Sequence, residues 1–266
     1  MLDHLAPARR RLVLGSVGLL VVAALALALV VVVPKLTGDH HHVDPVSQAA
    51  QPPVLLVPGY GGGTAGLDVM AAALRREGRN VTVVQLAGDG TGDLNVQADV
   101  VEDAVRRVVT AGAKSVDLVG YSAGGVTVRL WVRQYDGGSV ARRIVTLGSP
   151  QHGTDLAALA TDLAPGECPE ACRQLATDSL LIRQLNSGDE TPSGPEWVSI
   201  WTTDDTVSTP PQTASLTGAL DFSVQHVCPS VHVTHGQLPS SPVVIAMVEA
   251  ELRRTPPVVP GPEVCR

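Results

Sequence analysis

Gly120, Tyr121, Ser122, Ala123 and Gly124 set one serine between glycines, directly after the apolar run "VDLV" and directly before a helix-like pattern from Ala123 to Tyr135. A serine hydroxyl is a weak nucleophile at neutral pH, so chemistry at it needs a base to take its proton and a carboxylate to orient that base. Further along, "TTDDTV" carries Asp204 and Asp205, and "VHVTHGQLP" carries His232 and His235. Nucleophile, acid and base in that chain order are the parts of an acyl-transfer site, G-x-S-x-G being the sharp turn that exposes the serine. Singly each signal is weak, since the motif recurs by chance, aspartates are common in turns and histidines on surfaces. Their order, and the strand-like run before each, carry the reading.

Such a site also needs donors for the oxyanion that develops on the attacked carbonyl. One is the N–H of Ala123, at the start of the helix that follows the serine. The other is expected from the loop "VPGYGGG" (57–63), whose glycines let the backbone turn inward and make the Tyr60 N–H the best second donor. A phosphate-binding reading of that loop fails, because G-x-x-x-x-G-K-[ST] is absent and no lysine follows.

These residues must be positioned by something. From Val54 onward short β-branched runs alternate with amphipathic ones, the pattern of a parallel sheet covered by helices. Strands are expected at 54–57, 81–86, 116–119, 144–147 and 198–201, and helices at 67–77, 96–111, 123–135 and 242–252. The fold class is therefore α/β, and the candidate residues all fall just after strands, where this class presents its ligands. Residues 155–195 break the rhythm with Pro, Gly and two Cys and read as an insertion. Its Leu156, Leu159, Leu163, Leu180, Leu181 and Ile182 suit either the lining of a lid or ordinary helix core.

Among 266 residues, 44% are apolar, enough for a sizeable core. Net charge is −7, aromatics are 3%, and no basic stripe occurs past Arg11, so nucleic acid is not an expected partner. Arg9, Arg10 and Arg11 precede an uncharged apolar stretch, Leu12 to Val33, closed by Pro34 and Lys35. Its 22 residues or so would span roughly 33 Å as a helix, enough for a hydrocarbon core of about 30 Å. Residues 1–35 are thus read as a signal anchor or a long cleaved signal peptide, residues 36–53 as a linker, and 54–266 as one exported domain. The His40, His41, His42 run is read as solvated linker. Cys168, Cys172, Cys228 and Cys265 all lie in the exported part, which favours disulfides over a zinc site; spacing suggests Cys168–Cys172 and Cys228–Cys265. A monomer with no metal and no cofactor is expected.

"PVLLVPGYGGG", "VDLVGYSAGG", "LGSPQHGT", "TTDDTV" and "VTHGQLP", in this order, resemble the secreted bacterial lipases and esterases of the lipase class 2 group, with a fainter similarity to the yeast lipase B type. The resemblance spans about 53–252 and implies a reduced α/β-hydrolase fold acting on carboxylic, lipid-type esters. It implies Ser122 as nucleophile, His235 as base, and Tyr60 and Ala123 as oxyanion donors. For the acid it implies Asp204, because the family's acid usually stands three residues before a valine, here Val207; Asp205 is the alternative. His152 in "GSPQHGT" falls near the mouth and is left out of the triad. An acyltransferase working on envelope lipids and a non-catalytic binding protein built on the same scaffold are the competing functions.

Overall fold

"VLLV" is four β-prone residues with no polar break, and it forms a strand buried on both faces. In the computed structural model, which describes residues 45–266, this is the strand beside which the sheet reverses direction. The strands are β1 (Val54–Val57), β2 (Val81–Val83), β3 (Val116–Tyr121), β4 (Ala141–Leu147), β5 (Glu196–Trp201) and β6 (Leu220–Ser223). They form one parallel six-stranded sheet in the order β2-β1-β3-β4-β5-β6. The chain leaves β1 towards β2 and then returns to the other side at β3, so the loops after β1 and β3 part company there, the place where an open α/β sheet forms its crevice.

Four longer helices cover the sheet: α1 (Ala65–Arg76), α2 (Leu94–Thr110), α3 (Ala123–Gln134) and, near the C-terminus, Pro242–Glu251. Side-chain alternation in the strands assigns the layers. Leu55, Val57, Leu118 and Ile144 face α2 and α3, packing with Val101, Ala104, Val126 and Trp131. Val54, Leu56, Val119, Val145 and Ile200 face the other way, onto Leu67, Met70 and Leu74 of α1 and Val244 and Val248 of the C-terminal helix. The fold is therefore the expected α/β architecture with helices on both faces. Asp93 caps α2 by accepting from the Asn95 N–H, a bond of a kind that contributes about 1 kcal/mol.

β6 is the strand that periodicity does not reveal. Only Phe222 and Ser223 of its "LDFS" are buried, and pairing with β5 rather than an apolar run makes it a strand. Residues 155–195 form three short helices, α4 (Asp155–Leu163), α5 (Glu170–Gln174) and α6 (Leu180–Leu185), followed by a loop into β5. Val224–Val227 is α7, and the C-terminal helix is α8.

At the opposite end of the sheet from the candidate residues, Asp117 is wholly buried and paired with Arg142, Nη2 at 2.5 Å and Nε at 2.8 Å, and with Arg79 at 2.6 Å. The arginines also donate to the carbonyls of Pro52, Gln48, Leu252 and Arg253, tying both ends of the domain to the sheet. The end of the expected linker is thus bonded to the domain. Two disulfides are present, Cys168–Cys172 and Cys228–Cys265. Among the described residues no helix is long and apolar enough to cross a membrane. The expected anchor at 1–35 and the His40, His41, His42 run lie outside the described residues.

Candidate active site

Ser122 sits between β3 and α3 with φ 53° and ψ −128°, a left-handed conformation that costs a non-glycine residue on the order of 1–3 kcal/mol. The flanking glycines are what allow it. A Cβ on Gly120 would lie 2.5 Å from Gly125 Cα, and one on Gly124 would lie 2.3 Å from the Val57 carbonyl oxygen. Strand and helix therefore meet at backbone contact, and Ser122 projects from the vertex. Its own N–H is bonded to the Leu147 carbonyl at 2.8 Å, which holds the turn against the end of β4.

His235 Nε2 lies 2.9 Å from Ser122 Oγ, and His235 Nδ1 lies 2.7 Å from Asp205 Oδ2. All three residues are buried: Ser122 is 9% exposed, His235 6% and Asp205 5%. The second carboxylate oxygen of Asp205 accepts from the Val207 N–H at 2.9 Å and the Ser208 N–H at 2.8 Å. Ser208 Oγ in turn donates to the Gly148 carbonyl at 2.7 Å. The loops carrying Asp205 and His235 are linked by Thr202 Oγ1, which donates to the Val233 carbonyl at 2.6 Å. His235 opens a short 3-10 turn whose start is fixed by the Thr234 N–H donating to Gln237 Oε1.

The expectation that Asp204 orients the base is corrected by this geometry. Asp204 pairs instead with His232, Oδ2 to Nδ1 at 3.0 Å, and that pair stands in solvent with the His232 side chain 85% exposed. Adjacent residues of a turn point apart, so only one of the two aspartates can face inward. The inward one is the aspartate whose side chain also closes a turn onto the N–H groups two and three residues ahead. Either aspartate could close such a turn by sequence, and it is Asp205 that does so. His152 is bonded to Glu190 at 3.0 Å and to the Thr213 carbonyl at 3.3 Å, outside the Ser122–His235–Asp205 chain.

Ala123 is the first residue of α3 and has no carbonyl four residues back within the helix, so its N–H is left to be satisfied from outside the helix. The loop after β1 comes to the same place: a Cβ on Gly59 would lie 2.9 Å from Ser122 Cβ. Tyr60, next along, is 45% exposed. Sequence reasoning overlooked Tyr121, whose ring centroid lies 5.3 Å from that of His235 and whose hydroxyl donates to the His235 carbonyl at 3.2 Å. Burial, with the nearby Asp205 charge adding to it, pushes the Tyr121 hydroxyl up to about 12.

The leucines of the 155–195 segment divide. Leu156, Leu159 and Leu163 lie outward on α4 and Leu180 outward on α6, whereas Ile182 is buried and Leu181 packs against the core. The start of α4 is bonded to the loop carrying Asp205 through Thr154 Oγ1, which donates to the Val207 carbonyl at 2.6 Å. A cavity of about 580 Å³ lies elsewhere, between the C-terminal half of α3 and α5–α6, lined by Leu130, Arg133, Gln174 and Leu181 among others; it includes none of the three site residues. Among the described residues no group of three or more His, Cys, Asp or Glu side chains could hold a metal ion.

A parallel sheet with a strained serine turn after its third strand is the architecture of the α/β-hydrolases, and the family match places the chain among hydrolases of ester or thioester bonds. Residues 53–187 match the sequence profile of the palmitoyl protein thioesterase family, and the chain belongs to that family. Among solved structures it is similar to lipase B of Aspergillus fumigatus, at 17% identity and a TM-score of 0.63 over 79% of this chain and 55% of that one. It is similar to mature lipase BlEst2 of Bacillus licheniformis, at 19% identity and 0.54 over 68% of this chain and 84% of that one. The product of gene lin2722 from Listeria innocua is comparable, at 16% identity and 0.56 over 78% and 96%. The chain thus spans about half the length of the Aspergillus lipase. No curated protein sequence matches it.

Proposed function

We propose that this chain is an exported serine hydrolase that cleaves lipid-type acyl esters or thioesters through an acyl-enzyme, with Ser122, His235 and Asp205 as its triad. The observation that carries the reading is the unbroken hydrogen-bonded chain from Ser122 Oγ through both nitrogens of His235 to buried Asp205. His235 Nε2 takes the Ser122 proton as Oγ attacks the acyl carbon. The oxyanion is held by the N–H groups of Ala123 and Tyr60, each of a kind whose loss costs about 10²- to 10³-fold in turnover. Collapse of the adduct breaks the bond to the leaving alcohol or thiol, which receives the proton from His235. Water then repeats the sequence on the acyl-serine, and Asp205 keeps the Nδ1 proton in place while stabilising the imidazolium.

Family membership favours an acyl thioester, and the lipase class 2 resemblance favours an oxygen ester; the same triad serves both. The two disulfides support an oxidising, extracytoplasmic setting. The uncharged stretch from Leu12 to Val33 supports a membrane tether. The outward leucines of α4, the helix whose start is bonded to the loop carrying Asp205, support a long acyl chain as the preferred substrate. The test is turnover of p-nitrophenyl butyrate, p-nitrophenyl palmitate and palmitoyl-coenzyme A by the full chain in detergent, with Ser122→Ala alongside. Loss of turnover in the variant is expected; equal rates in both proteins would remove the assignment.

A further inference from the structure

Tyr121 stands immediately before the nucleophile and touches the base on two sides. Its ring lies against the His235 imidazole, centroids 5.3 Å apart and planes tilted by 39°. Its hydroxyl donates to the backbone carbonyl of that same histidine at 3.2 Å. On the Nδ1 side the ring is closed by Gly148 and Leu238 beside Asp205: a Cβ on Gly148 would stand 3.4 Å from Nδ1, 3.2 Å from Asp205 Oδ2 and 2.5 Å from Leu238 Cδ1. Among the described residues Asp205 is the one ionic group bonded to the ring, and Ser122 the one hydroxyl.

His235 is mounted on a three-residue turn rather than on a strand or a long helix. A ring on such a mount is held in line between Asp205 and Ser122 only if something fixes the turn laterally, and an error of about 1 Å in that line costs on the order of 10²-fold in rate. When the serine proton moves to Nε2 the imidazole becomes a cation, and an aromatic ring within about 6 Å attracts a cation through its quadrupole. We propose, on the reading of the site above, that Tyr121 is a positioning residue for His235: its hydroxyl anchors the base-bearing turn, and its ring stabilises the imidazolium formed when Ser122 is deprotonated. The high proton affinity of the buried phenol keeps it a neutral donor throughout the working pH range.

The test uses the rate of covalent labelling of Ser122 by a fluorophosphonate, measured from pH 5 to 9 on the full chain. This rate reads nucleophile activation and is independent of which ester or thioester is the substrate. Tyr121→Phe, which keeps the ring and loses the hydrogen bond, is expected to slow labelling about threefold with an unchanged pH profile. Tyr121→Leu, which loses both, is expected to slow it about thirtyfold or more. It should also move the acid limb of the profile down by about half a pH unit or more, because the imidazolium loses its partner. Rates are expressed per folded molecule, with near-ultraviolet circular dichroism confirming the native packing of each variant. A purely structural role would lower the folded fraction and leave that profile where it is. An acid limb unmoved in Tyr121→Leu, or labelling within threefold of the parent protein, overturns the proposal. Labelling of wild-type Ser122 without turnover of any acyl substrate would instead overturn the hydrolase reading and leave the Tyr121 result standing.

Discussion

Replacing Asp205 by asparagine changes one atom, and the structure dictates the consequence. Oδ1 of Asp205 accepts two backbone N–H groups, from Val207 and Ser208, at 2.9 and 2.8 Å. In the variant the amide oxygen must occupy that position, because turning the NH₂ group there would leave two buried donors facing a donor, at about 1–3 kcal/mol each. The NH₂ group is thereby forced into the position of Oδ2, 2.7 Å from His235 Nδ1. Facing a donor, Nδ1 must become an acceptor, so the ring proton moves to Nε2 and points at Ser122 Oγ, 2.9 Å away. The base is then already protonated at the nitrogen that should take the serine proton. Wrong-tautomer substitutions of this kind reduce kcat by about 10⁴-fold, roughly 5 kcal/mol in activation free energy, with KM changed little. Asp204→Asn, at an exposed pair with His232, is expected to stay within about threefold, since exposed ion pairs contribute about 0–1 kcal/mol. The assay is steady-state hydrolysis of p-nitrophenyl butyrate by the two variants side by side. More than a tenth of wild-type kcat in Asp205→Asn, or a loss in Asp204→Asn equal to it, refutes the reasoning.

Other perturbations have equally definite outcomes. Glu251 is buried, and burial, against the opposing pull of Arg143 and Arg253, pushes its carboxyl up to about 7. The folded state therefore holds this proton more tightly than the unfolded chain, and stability falls as pH rises from about 4.5 to 7, by at most about 3 kcal/mol. Glu251→Gln should flatten that part of the Tm-against-pH curve measured by calorimetry, and an unaltered slope between pH 5 and 8 would count against it. The Cys228–Cys265 bridge closes a span of 37 residues, so Cys265→Ser is expected to lower stability by about 4 kcal/mol in denaturant titration, far more than an exposed substitution. Gly124→Ala places its Cβ against the Val57 and Pro58 carbonyls, and since both are backbone it should reduce fluorophosphonate labelling at least about tenfold even where the protein stays folded. Leu159→Ser and Leu163→Ser on the outward face of α4 are expected to lower the palmitate-to-butyrate turnover ratio while leaving butyrate turnover near wild type; a constant ratio would exclude this face from acyl recognition.

Local signals were enough for much of this molecule. Apolar runs such as "VLLV" and amphipathic spans such as 96–111 carry their secondary structure in their own pattern, because burial on one or two faces demands it. The strand–turn–helix around Ser122 was equally plain, since the close approach at Gly120 and Gly124 tolerates only hydrogen in place of a side chain. The cysteine pairing followed from spacing once an oxidising compartment was read from the N-terminus. β6 was not visible, because four residues carrying Asp221 and Ser223 become a strand only by bonding to β5.

The choice between Asp204 and Asp205 lay beyond the sequence pattern used for it. Counting residues from Val207 pointed to the neighbour that faces His232, because a shift of one position turns a side chain from the interior to solvent. What decided it was the placement of His235, brought to Ser122 across 113 residues of chain by the packing of β3 and the C-terminal layers. The same holds for Tyr121. Chemistry in this protein is written in residue types and their order, but which atoms face one another is set by backbone direction at loop ends, and only the packed sheet fixes that.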